Sequence, residues 1–141
     1  WTDRVGFVAA LETLNQMKKN KSWIKISEIG NHFKKEWKKI SKKHKLKVKI
    51  SGLAACPSFI IVSNDWIKYK TFITQYMLEN NFLAANTIYV SLAHNNKKII
   101  KKYLNILDKA FKKIKLCEMK FENIDSLLKT EVCQTGFKRL N

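Results

Sequence analysis

Between residues 26 and 40 the apolar side chains Ile26, Ile29, Phe33, Trp37 and Ile40 recur at steps of three and four, with Lys34, Lys35, Lys38 and Lys39 between them. An α-helix with one buried face satisfies that pattern. The rest of the chain must therefore supply a surface against which a stripe of aromatic and branched side chains can be buried. The amphipathic stretch runs over about residues 22–44. Three further stretches share its period. The first covers about residues 3–19, with Phe7, Ala10, Leu11, Leu14 and Met17 on one stripe and Asp3 placed to cap free amides. Another follows Asn64 and Asp65, either a suitable cap, and runs to about residue 80 with Tyr69, Phe72, Ile73, Tyr76 and Met77 inward. Asn80 and Asn81 can end it, because asparagine tolerates the left-handed conformation of a helix terminus. The fourth spans about residues 95–115 and buries Ile100, Tyr103, Leu104, Leu107, Phe111 and Ile114, leaving most of its eight lysines on a solvated face.

Segments of a different period lie between the helices. "LKVKIS" alternates, with Leu46, Val48 and Ile50 on one side, and Gly52 ends it. "PSFIIVS" is β-branched and aromatic, with Pro57 at its head, a position proline accepts in a strand. "NTIYVSL" is a third strand candidate. The order α-α-β-β-α-β-α predicts an α+β domain: a small, largely antiparallel three-stranded sheet with about four helices packed on it. The stretch 1–116 reads as one domain, with 1–19 as its leading helix. The stretch 117–141, with a weak helix over 124–129, reads as a peripheral extension of the same domain.

A chain of 141 residues with 45% hydrophobic and 11% aromatic content can hold a core, which excludes wholesale disorder. No apolar run reaches the length needed to span a bilayer. The formal net charge of +17 invites a polyanion partner. However, Arg4 and Arg139 are the two arginines among 28 basic residues, and the lysines come with twelve asparagines and many isoleucines. Sequence-specific readers of nucleic acid rely on arginine. The charge thus reads as a solvated surface and argues against a nucleic-acid partner. The alternative is a free-standing basic module binding nucleic acid or another polyanion, with a steep salt dependence.

Chemistry-bearing motifs are scarce. Cys56, Cys117 and Cys133 are widely spaced and form no CxxC pair, and His32, His44 and His94 lie far from one another. No metal site is expected from such spacing. No Gly-rich phosphate loop or nucleophile elbow is present, and the eleven carboxylates are scattered. His94, at a strand-to-helix junction, reads as a local cap, His44 as solvent-facing, and Trp23, Trp37 and Trp66 as packing anchors.

Taken in order, "WTDRVGFVAALETLNQM", "IGNHFKKEW", "SGLAACPSFIIV", "YKTFITQYMLENNFLAANTIYVSLAHN" and "GFKRLN" resemble the C-terminal part of class III aminotransferases. The branch is the one similar to glutamate-1-semialdehyde aminomutase, which includes enzymes attached to surface-sugar pathways. The individual motifs are soft apolar patterns, but five in the right order cover nearly the whole chain.

The resemblance implies the C-terminal small domain of a fold type I enzyme dependent on pyridoxal 5'-phosphate (PLP). In that family the Schiff-base lysine, the aspartate facing the pyridine nitrogen and the threonine holding the phosphate all precede a segment like this one. The chain is then expected to carry no catalytic, cofactor-binding or metal-ligating residue of its own. PLP is expected in the full-length enzyme and not in this piece, which alone would be inactive. The implied partners are the large PLP-binding domain of the same protein and, at full length, a second copy in a cytoplasmic homodimer with no membrane attachment. Trp1, Thr2 and Arg4 become substrate-pocket candidates, Arg4 being able to fork onto a carboxylate or phosphate. Asn86 falls where aminomutase-type members carry an acidic gating residue, which favours ordinary amino-group transfer over amine migration. The leading helix, parted from its partner domain, is expected to expose its apolar stripe.

Overall fold

A computed structural model describes residues 3–134. The elements run α1 (Val5–Asn20), α2 (Ser22–Lys43), β1 (Val48–Ser51), β2 (Ser58–Ile61), α3 (Trp66–Glu79), a 3-10 turn (Leu92–His94), α4 (Lys97–Glu118) and α5 (Ile124–Leu127). The four long helices lie where periodicity predicts them, and α5 is the weak helix of the extension.

The sheet departs from the expected three strands. β1 and β2 pair antiparallel, Val48 opposite Ile61 and Ile50 opposite Phe59, and they are the two strands of the sheet. The third candidate runs beside β2 but forms only an isolated bridge, Ser58 with Thr87. Its backbone bonds show why. Phe59 N–H donates to Asn86 O, Ile88 N–H to Pro57 O, and Val90 N–H to Ala55 O. The next rung requires an N–H at position 57, and proline has none. Toward the other end, the Asn86 side-chain amide donates to Phe59 O at 3.0 Å, so a side chain takes the place of a ladder amide. Pro57, which suits the head of a strand, also interrupts the ladder on its far side.

The helices α2, α3 and α4 cover one face of the sheet. Phe59 is the meeting point: its ring lies 4.9 Å from Trp37 of α2, 5.6 Å from Phe111 of α4 and 6.5 Å from Trp66 at the start of α3, each edge-on. Such T-shaped geometry is the preferred arrangement of aromatic quadrupoles. Trp37, Phe59, Ile73, Leu107, Phe111 and Ile114 are fully buried around this point. Ile100 and Leu104, expected inward, are half-buried, and Ile106 and Ala110 fill the core of α4 instead. Trp23 is 51% exposed and is not the packing anchor its spacing suggested.

Close approach of backbones sets the position of the β1–β2 loop. Gly30 lies in the middle of α2, where glycine is costly. A Cβ there would sit 1.7 Å from Ala54 O. The Lys34 ammonium donates to Gly52 O at 2.6 Å, and Gly52 itself has φ +82. Helix ends also differ in part from expectation. Asp3 does accept from Val5 N–H, and Asn96 caps α4 by accepting from Lys98 and Ile99. Neither Asn64 nor Asp65 caps α3 with its side chain; Ser63 accepts from the Asp65 and Trp66 amides instead. Asn81 takes the left-handed conformation after α3, as its type suggests, but so do Lys21, Lys45 and Lys120.

The extension is strapped to α3 as far as it is described: Gln75 donates to Leu127 O and accepts from Lys129 N–H, and Cys133 N–H donates to Thr71 Oγ1. The "GFKRLN" stretch lies outside the described residues.

Two substitutions test this packing. Phe59→Ala should lower unfolding stability by about 3–5 kcal/mol, read as a shift of the urea midpoint. Gly30→Ala should destabilise by about 2 kcal/mol or more, despite the ~1 kcal/mol alanine normally gains in a helix interior; a stabilised variant would show that Ala54 does not press on α2.

Candidate functional site

Two features of the surface could serve a function. The first is the face of the sheet that no helix covers. By register, Lys49, Ile60, Val62 and Thr87 point away from the helices, and Tyr89 joins them at 79% exposure. The loops at its ends carry Leu53, 78% exposed, and Leu83, 96% exposed. Separately, α1 buries none of its residues, and Val5, Phe7, Val8, Leu11 and Leu14 are all exposed. Apolar side chains gathered in this way mark surfaces that cover something or are covered.

The second feature is a groove of about 850 Å³ between α2 and α4. Ile29, Ile40, Ile100 and Leu104 are among its apolar lining, and Glu28, His32, Lys97 and Lys101 are among its polar one. One end is closed by a clasp. Asp108 accepts from the Lys43 ammonium at 2.6 Å and is hydrogen-bonded to His44 Nε2 at 2.8 Å. His44 is only 12% exposed, so the solvent-facing reading is corrected: this histidine ties the end of α2 to α4. Burial pushes the Asp108 carboxyl upward, but the hydrogen bonds from Lys43 and His44 outweigh it and hold the group below its usual value. Lys43 is 63% exposed, so its share of the clasp is small.

Elsewhere the chemistry is structural. The Tyr69 hydroxyl donates to Glu118 Oε1 at 2.8 Å, joining α3 to α4, and burial with that bond raises its pKa. Cys117 lies in a smaller pocket of about 390 Å³, and burial, aided by the nearby Glu122 charge, pushes its thiol up. It is therefore a poor source of thiolate. His94 Nδ1 accepts from Ser91 N–H at 3.0 Å, so the histidine completes a local cap. Among the described residues no group of three or more His, Cys, Asp or Glu could hold a metal ion, and no helix is long and apolar enough to cross a membrane.

Of the sequence-predicted pocket residues, Trp1 and Thr2 lie outside the described residues. Arg4 is exposed at the start of α1 and forms no ion pair among the described residues. Asn86 is half-buried, its side chain engaged with Phe59 O. No hydrogen bond or ion pair joins Arg4 to Asn86. Sequence reasoning missed Asp108 and the Gly30 contact. A glycine inside a strong helical stripe was the available signal for the second.

No family model matches the sequence, and no curated protein matches it. A solved structure does. Over 91% of its length this chain superposes on part of the FumI protein of Sphingopyxis sp. MTA144, described as its PLP internal aldimine form, with a TM-score of 0.72 and 18% sequence identity. The chain spans 31% of that protein's length. It therefore has the fold of a portion of FumI, an α+β arrangement in both.

The described residues do not by themselves suit PLP. A Schiff-base lysine needs a site that lowers its pKa, by desolvation or neighbouring cations. No lysine among the described residues is buried, and Lys68, hydrogen-bonded to Asp125, is shifted upward. Retention of PLP would have to come from residues beyond those described.

The clasp carries a pH signature. Because the folded pKa of Asp108 is lowered, its contribution is present above the ordinary carboxylate range and lost as pH falls through the folded value. Asp108→Asn should lower stability at neutral pH and flatten the loss of stability on acidification; urea midpoints measured from pH 7 down to pH 3 check both, and unchanged curves would remove the clasp from the account.

Proposed function

We propose that this chain is the small domain of a PLP-dependent enzyme that transfers an amino group to a carbonyl substrate. The superposition on part of a PLP-containing protein at a TM-score of 0.72 over 91% of the chain carries the reading. The ordered motifs similar to class III aminotransferases support the finer assignment. The uncovered sheet face and the α1 stripe fit a domain that closes over another, because both would be buried there. In this reading a large domain of the same polypeptide holds the cofactor, which when bound supplies an electron sink for reactions at an amine-bearing carbon. The small domain closes the substrate entrance, with Trp1, Thr2, Arg4 and Asn86 as its candidate pocket residues. The intact protein works as a cytoplasmic homodimer. The basic-module alternative draws on exposed lysines alone.

The test is made on the intact natural protein. Borohydride reduction of the protein as isolated, with no PLP added, followed by peptide mapping should place a single stoichiometric pyridoxyl-lysine outside the 141 residues, while the 141-residue chain incubated with PLP should show only scattered, substoichiometric labelling with no preferred lysine. Absence of any pyridoxyl-lysine from the intact protein would overturn the proposal.

A further inference from the structure

Within β1, backbone groups alternate between two directions. Val62 N–H donates to Lys47 O, which in the observed register makes 47, 49 and 51 the positions that bond to β2. The N–H and C=O groups of Val48 and Ile50 therefore face the open edge of the sheet, and none of them has a hydrogen-bond partner among the described residues. Their side chains tell the same story. Phe59 and Ile61, opposite them on β2, are 0% and 2% exposed, whereas Val48 and Ile50 remain half-buried, uncovered on the open side. On the outer face of the same strand, Lys49 and the adjoining Lys47 have no carboxylate partner among the described residues.

We propose that the β1 edge is a docking site for an extended segment of a partner protein, apolar at alternate positions and acidic between them. Such a strand would pair its backbone with Val48 and Ile50, cover their side chains with its apolar residues, and set its carboxylates beside Lys47 and Lys49. Charge decides the choice of occupant. A second copy pairing through β1 would bring Lys47 and Lys49 against the same lysines, and β1 offers no acidic residue to offset them. The inference rests on the strand's own geometry and does not depend on the proposed function.

The test titrates the 15N-labelled chain with a synthetic hexapeptide, acetyl-Glu-Val-Glu-Ile-Glu-Val-amide, at millimolar concentration. Hydrogen exchange at the Val48 and Ile50 amides should slow by about tenfold, with Lys49 and Ser51, already bonded to β2, unchanged. The same peptide with lysine in place of glutamate should have no effect. The double variant Lys47→Glu and Lys49→Glu, which leaves the ladder and the core intact, should reverse that preference. The proposal is overturned by equal responses to both peptides, by no response to either, or by amides that become protected as the chain alone is concentrated, which would assign the edge to a second copy.

Discussion

The fold depends on one aromatic ring. Phe59 stands on the inner face of β2 and meets Trp37, Phe111 and Trp66, one from each of the three helices that cover the sheet. A two-stranded sheet of four-residue strands cannot stand alone in water. Here it is held because its central side chain is the shared contact of α2, α3 and α4. Those helices also pack on one another, α4 against both α2 and α3, so the sheet and the helix layer share one core. Burial of these aromatics together with the aliphatic side chains around them opposes the loss of chain entropy.

Around that ring, the polar backbone has to be satisfied with few regular rungs. Pro57 stops the ladder on one side of β2, and the Asn86 side chain supplies a bond there in place of a backbone amide. The β1–β2 loop is fixed by steric contact, Gly30 against Ala54 O, and by the Lys34 bond to Gly52 O. Asp108 ties the far end of α2 to α4 through His44 and Lys43. These contacts make a firm body in which α2, α3 and α4 lie on one side of the sheet. On the other side Ile60, Val62 and Tyr89 stand exposed beside Lys49, and α1 buries none of its residues.

What was legible in the residues follows from local periodicity. The four long helices and the β1–β2 pair could be read because three-and-four and alternate spacings act within a few residues. The third strand was misread for a reason visible only in pairing: its residues have strand character, but the rung it needs falls on proline. His44 was misread because its partner, Asp108, is sixty-four positions away. For the pocket residues, local pattern has little to say. Asn86 looks like a loop polar group in the sequence, and its engagement with Phe59 O appears only once β2 lies beside it.

The sequence by itself determined where helices and strands form, that the lysines line solvated faces, and that one stripe of each covering helix must be buried, since propensity and amphipathicity are properties of neighbouring residues. Tertiary structure alone decided that the sheet stops at two strands, that His44 ties α2 to α4 and that the edge at Val48 and Ile50 is left open. Those outcomes turn on which distant groups come within hydrogen-bond reach, and no local pattern encodes that distance.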